Sequence, residues 1–542
     1  MKLKLTLLII SICFLFPLKS KSQLQAVLKN DTLILSNSLV ERKFRWNGGE
    51  LKSYSFTDKA SSENLVTESK LPALNFSKHF DLGNTDFKVV EVEKTNVNTA
   101  GLKAEITLLY GSFKIKRVFR ISENVPAIAC DNFIFFNENI DPAEFETIFF
   151  KGLQLENIQT GFRYPYLKAV EFFDRTDENN NLVKEQCSIA YTHNQKLKGN
   201  ILQATPGKEE GPGMFILKEA PCSFVQLAYP GYDFNSVRNN LTVEGIGISD
   251  NKITSGEWIQ LYGTVIGCFD GTDYGFTKAL RAYQNSLRPA IPERDEMIMM
   301  NTWGDRNNDA SIGEAFLKGE LDACEKLGIS HFQIDDGWQQ GLSQNSAKSQ
   351  GNKWDLWDTQ DWVPNKERLP NGLKPIVEYA KKKGVLLGLW FHPSNHNSYE
   401  NWETDANTIL NLYKEFDIRY FKIDGTQLPD KRADHRLRML FSKVLAESNG
   451  NVVINLDATA GNRTGYFYMN TYGNIFLENR YSDWGNYYPH WTLRNLWQLS
   501  AYVPTKNLQI EFLNKWRNKN IYGEDNPLAP YAIPFEYQFA IT

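Results

Sequence analysis

A chain of 542 residues, 42% of them apolar, is too long for one ordinary domain and can bury more than one core. Its net charge of −4 becomes −8 once the first 22 residues, which hold Lys2, Lys4, Lys19 and Lys21 and no acid, are set aside. That balance argues against nucleic acid or an anionic membrane surface as a partner. Six widely spaced cysteines without a C-x-x-C point away from a zinc ribbon or a disulfide scaffold.

The chain opens with MKLK, an apolar run LTLLIISICFLFPL and a polar KSKSQ. This pattern predicts a secretory signal peptide over 1–22, cut near Ser22/Gln23, and a periplasmic or secreted product. The run is too short for a comfortable membrane span, so no membrane association is expected after cleavage. Cys13 lies inside the run rather than at its end, which does not fit a lipid anchor. The five cysteines beyond the signal read as buried free thiols, with one disulfide left open.

Residues 23–288 alternate apolar and polar positions with frequent turn residues, as in FKVVEVEKT, KAEITLLYG, FKIKRVFRIS and WIQLYGTVIGCF. Period-two alternation of this kind predicts an N-terminal β-sandwich. The segment 274–289 has helical spacing and links the two halves of the chain, with Pro289 and Pro292 at the boundary.

From about 294 the pattern changes to short apolar runs between helical segments. Strands are expected in MIMMNTW, HFQIDDGW, VLLGLWF, YFKIDG, NVVINLDA, IFLENRYSDWG and LQIEFL, with helices between them. The runs are apolar nearly throughout, as for a parallel sheet covered on both faces. Seven such units predict a (β/α)8 barrel over 289–542. A clear eighth unit is not legible before the chain stops at FEYQFAIT; it is hidden in the last thirty residues, or the barrel is cut short.

Function in such barrels sits at the C-terminal ends of the strands. Those ends carry Trp303 with Asp305 and Arg306, then Asp335, Asp336 and Trp338, then Trp390 and His392, Lys422 and Asp424, Asp457, and last Glu478, Arg480 and Asp483. Carboxylates and cations that bind hydroxyls, with tryptophans that cover apolar ring faces, suit a carbohydrate. Any single Asp after a strand could equally cap a helix, but seven acids at successive strand ends are harder to explain that way. His392 and His396 offer a metal pair with Asp424, yet solvated loop histidines are the simpler reading, and neither a cofactor nor a metal is expected.

The segments NTWGDR, LGISHFQIDDGWQ, LPNGLKPIVEYAKKKGVLLGLWFHP, YFKIDG and RYSD, spread over about 294–505, resemble glycoside hydrolase family 36, the α-galactosidase group related to families 27 and 31. The resemblance implies that Asp424 is a nucleophile and Asp483 an acid/base. It implies that Asp335 and Asp336 bind the 4- and 6-hydroxyls of galactose, that Lys422 binds sugar hydroxyls, and that Trp303, Trp338 and Trp390 surround the subsite. Asp457 and Arg480 are further candidate binding residues. Chemically, a retaining glycosidase needs two carboxyls about 5–5.5 Å apart, one ionised and one protonated. Lys422, two residues before Asp424, shares its strand face and is expected to keep it ionised. Aromatic neighbours Tyr481, Trp484, Tyr487 and Tyr488 are expected to keep Asp483 protonated.

Two stretches depart from the family: HPSNHN stands where E-P-E is usual, and LDATAGNRTGYF replaces a Cys- and Gly-rich stretch, with Arg463 not securely matched. The expected activity is hydrolysis of terminal α-galactosides. The alternatives are an α-N-acetylgalactosaminidase, a β-L-arabinopyranosidase, a raffinose-type transglycosylase or a non-catalytic carbohydrate-binding protein. A homo-oligomer is left open.

Overall fold

The computed structural model describes residues 24–541 apart from 75–82, 112, 139–153, 174, 177–178, 191–192, 208–210, 249–254, 304–307, 348–350, 459–469, 478–484 and 511–518. The N-terminal half folds as its alternation predicts. Strand Phe113–Ser122 buries every second residue over most of its length, and Gly101–Tyr110 does the same. These strands belong to a ten-stranded antiparallel sheet facing a nine-stranded one. Phe44 of one sheet meets Phe119 of the other at 5.0 Å between ring centroids, which places a shared core between them.

Helix Asp273–Leu287 joins the halves. Thr272 caps it by accepting a bond from the Gly275 amide, which satisfies a donor orphaned at the first turn. Its buried face (Phe276, Ala279, Leu280, Tyr283) packs on Phe215, Val265 and Phe269 of the sandwich. The same apolar cluster takes in Ile475, Leu477 and Leu499 of the second half.

Seven parallel strands come next, in sequence order: β1 (Met299–Asn301), β2 (His331–Ile334), β3 (Leu386–Phe391), β4 (Tyr420–Ile423), β5 (Val453–Asp457), β6 (Gly473–Leu477) and β7 (Leu508–Ile510). Helices α1 (Glu314–Leu327), α2 (Lys374–Lys382), α3 (Trp402–Phe416), α4 (Lys431–Glu447) and α5 (Pro489–Ser500) lie between them in the chain. The expected class, a β-sandwich followed by a (β/α) barrel, is the fold observed. The sheet curls so far that Gln509 of β7 donates to Met297, just ahead of β1, at 2.9 Å. Among the described residues no eighth strand pairs with β7 or β1.

The strands correct one expectation, that they are apolar nearly throughout. Their outward residues are apolar (Phe332, Ile334, Leu387, Leu389, Phe421, Ile423, Ile454, Leu456) and bury against helix residues such as Leu317, Ile376, Ile409 and Leu437. The inward face is mixed: Asn301, Gln333, Lys422, Asn455, Asn474 and Gln509 stand on it beside Trp390, Tyr420, Val453 and Phe476. The short helix Pro292–Asp295 adjoins this face at the N-terminal end of the strands. There the Arg294 carbonyl meets the Tyr420 hydroxyl at 3.5 Å, and the Tyr420 ring packs on His331.

The five described cysteines are free; Cys130, Cys222, Cys268 and Cys324 are buried as expected, while Cys187 is exposed. No helix among the described residues is long and apolar enough to cross a membrane.

Candidate active site

Strands β2, β4 and β5 end at one place because their register puts Asp335, Lys422 and Asp457 on the same inward face. Lys422 Nζ lies 3.1 Å from Asp335 Oδ2 and 3.5 Å from Asp457 Oδ2, with all three side chains about 2% exposed. The ammonium also lies 4.7 Å from the centre of the Phe476 ring. Removing such charges from water is costly unless they are paired, so each holds the others in place.

Asp424, half-buried, stands one residue past β4. Trp390 Nε1–H donates to its Oδ2 at 3.1 Å, and the Gly425 amide to its Oδ1 at 2.6 Å. Hydrogen bonds to the charged form favour a carboxylate. The Trp390 and Gly425 donors engage Asp424 directly, while Lys422 pairs with Asp335 and Asp457. Gly425 has φ of +65°, and a Cβ there would lie 1.9 Å from His392 Nε2, so only glycine fits behind Asp424. Capping of α4 falls to Asp430, which accepts from the Ala433 amide, leaving Asp424 without that task.

Asp336 is held differently. Gln339 donates to its Oδ1 at 2.6 Å, and the Ser343 hydroxyl bonds its Oδ2. Burial pushes its carboxyl up to about 7, against the Gln339 and Ser343 hydrogen bonds and with the help of Asp335 and Asp309. Near neutrality it can donate as well as accept a hydrogen bond.

Trp338 is fully buried, and its Nε1–H donates to the Trp390 carbonyl at 2.9 Å. The indoles of Trp338 and Trp390 are thus tied into the wall of the site, one 0% and the other 1% exposed. Trp303 is half-buried at the end of β1. Arg480 and Asp483, like Asp305, Arg306, Arg463 and Glu478, lie outside the described residues. His392 packs inside the site wall beside Trp354, 4.6 Å between ring centres, whereas His396 pairs outward with Glu400 at 3.8 Å.

The sequence model of the melibiase family matches residues 269–406. α-Galactosidase Mel36A of Lactobacillus acidophilus is 30% identical over 173 residues, 31% of this chain and 21% of that protein. α-Galactosidase AgaA of Geobacillus stearothermophilus is 30% identical over 195 residues, 36% of this chain and 22% of that one. Over this stretch the chain is similar to the melibiase group, whose named members here are α-galactosidases. Its matches span about a fifth of the length of these curated relatives. The likeness of fold extends further than the likeness of sequence. The family 36 α-galactosidase AgaB of Geobacillus stearothermophilus superposes with a TM-score of 0.61 at 13% identity, over 96% of this chain and 85% of that one. A variant of AgaA in complex with raffinose gives 0.61 at 13%, over 94% and 82%.

Two features of this site escaped sequence reasoning. The first is an aromatic wall from the loop after β2: Trp357 lies 4.8 Å from Trp362 and 5.8 Å from Trp390, and Trp362 stacks on Phe391 at 4.1 Å. The spacing WDLWDTQDW was its signal. The second is a clamp around the DDGW turn. Arg368 donates to the Gly337 carbonyl at 2.7 Å and pairs with Asp309 at 2.7 Å, while Ser346 donates to Asp309 at 2.6 Å. Gly337, at φ of +110°, leaves room for this clamp, since a Cβ would lie 2.4 Å from that of Asp309. Thr302 adds a bond from the Asp335 amide at 2.9 Å.

Proposed function

We propose that the chain is an exported retaining exo-glycosidase that hydrolyses terminal α-galactosides through a covalent glycosyl-aspartate intermediate. The reading divides the chain into a signal peptide (1–22), a β-sandwich (23–288) and a catalytic barrel (289–542). The observation that carries it is the convergence of Asp335, Lys422 and Asp457 beside Asp424 at the C-terminal ends of β2, β4 and β5. Asp424, with donors on both oxygens, attacks the anomeric carbon as a carboxylate. Asp483 protonates the leaving oxygen, then as a carboxylate takes a proton from the water that frees the sugar. Asp335, Asp336 and Lys422 hold hydroxyls; Asp457, Arg480, Trp303, Trp338 and Trp390 complete the binding residues. Similarity to the melibiase group and to its α-galactosidases supports the substrate class.

A second reading, a β-L-arabinopyranosidase, is favoured by one observation: both oxygens of Asp336 are already engaged by Gln339 and Ser343. A galactose-like substrate without the 6-hydroxymethyl group asks less of that acid.

A panel of p-nitrophenyl glycosides tests both, with NMR of the first-formed anomer reading the stereochemistry. Release from the α-galactoside, lost in Asp424→Asn, is the expected result. Release from the arabinopyranoside alone selects the second reading, an inverted anomer removes the glycosyl-aspartate, and no release from any glycoside removes the enzymatic reading.

A further inference from the structure

The inward face of the barrel carries amides that no described part of the chain satisfies. Gln333 lies two residues before Asp335, and Asn455 two before Asp457, so both point into the barrel one strand period beneath the carboxylates. Lys422, Asn455 and Asn474 are neighbours in register, as are Asn301 and Gln333. Gln333 and Asn455 are 0% exposed, Asn474 1% and His331 2%. Both polar atoms of Gln333, both of Asn455, Nδ2 of Asn474 and of Asn301, and Nε2 of His331 are buried with no partner among the described residues.

Barrel interiors are usually filled by Val, Ile and Leu in packed layers. Here amides interrupt that packing among Tyr420, Val453 and Phe476, and Gly388, paired with Gln333 on β3, brings no side chain into it. The Lys422 cluster closes it above. His331, Tyr420 and the Arg294 segment close it below. Buried amides are almost always hydrogen-bonded, to water where protein offers nothing.

We propose that the barrel interior binds a buried water cluster beneath the Asp335–Lys422–Asp457 group, held by Gln333, Asn455, Asn474 and His331, with Asn301 at its rim. A buried water makes about three hydrogen bonds, so two or three molecules, roughly, match the free donors and acceptors. The cluster gives the charged group above it a polar floor in place of an apolar one. It does not depend on which glycoside is cleaved.

Water-17O magnetic relaxation dispersion tests the proposal on the full chain. The wild type is expected to show a long-lived internal-water component that is reduced in both Asn455→Leu and Gln333→Met, with a lower Tm in each. A dispersion unchanged by both variants overturns the proposal. A dry layer would also raise Tm, because an apolar side chain would then replace a polar group that had no partner. Should Asn455→Leu fail to fold, Gln333→Met and high-resolution diffraction from the wild type decide the matter: ordered water among these side chains supports the cluster, and its absence overturns it.

Discussion

Two of the ionic clusters buried in this molecule have opposite stoichiometry. Between the sheets of the sandwich, one carboxylate meets two guanidiniums: Glu156 pairs with Arg42 at 3.0 Å and Arg117 at 2.7 Å, and Thr264 donates to it at 3.1 Å. In the barrel one ammonium meets two carboxylates, with Asp424 next along its strand. Burial pushes the Glu156 carboxyl up, but Arg42 and Arg117 outweigh it and hold it below its ordinary value. The sandwich cluster joins strands of both sheets and faces no site. The barrel cluster sits at strand ends with acid in excess. Buried charge can therefore serve packing or chemistry, and the ratio of acid to base, with position, separates the two.

The strongest test of that contrast removes the barrel cation. Lys422→Met strands Asp335 and Asp457 beside each other, and breaking a buried pair costs about 3–5 kcal/mol. If that loss falls on the transition state, kcat/KM on the cleaved p-nitrophenyl glycoside drops by about 10²–10⁴. Glu156→Gln should cost stability of similar size, about 3–5 kcal/mol by denaturant unfolding, while the kcat/KM of the folded protein stays within about twofold. An equal loss of activity would erase the distinction between the clusters.

A pH series sharpens it further. The Asp336 carboxyl, at about 7, lies above its ordinary 3.8, so between those values the native protein binds more protons than the unfolded chain. The stability it contributes is full below about 3.8 and is lost as pH rises through about 7. Asp405, pushed up to about 7 by burial, acts in the same sense. Asp336→Asn should flatten the decline of unfolding free energy over this window, by at most about 1.4 kcal/mol per pH unit. The smallest effect is expected of Trp390→Phe, which keeps the aromatic packing and removes the donor to Asp424. A hydrogen bond to a charged group is worth about 1.5–3 kcal/mol, so kcat should fall roughly ten- to a hundredfold with little change in KM.

Asp335, Lys422 and Asp424 were legible in the sequence because each strand end is contiguous in the chain. The clamp was not, because Asp309, Gly337, Ser346 and Arg368 come from separate loops that only folding brings together. The polar inward face was hidden by its own neighbours: in HFQID, VINLD and GNIFL the apolar residues dominate the eye, although polar residues recur at every second position in the first two. Period two in a parallel strand means that the two faces differ, here helix-facing against axis-facing. Asp483, on which the acid step rests, was read from YSD alone and lies outside the described residues.

The segment that leaves the linking helix also serves as the stopper of the barrel. Arg294 donates to the carbonyls of Pro289, Asn96 and Gly450, stitching together the sandwich, the stopper and the turn before β5. Arg288 reaches Asn474 on the inward face at 3.2 Å. A minimal version of this protein that begins at the first barrel strand would uncork its own interior. Protein engineers who wish to move the barrel into another scaffold must carry 288–295 with it.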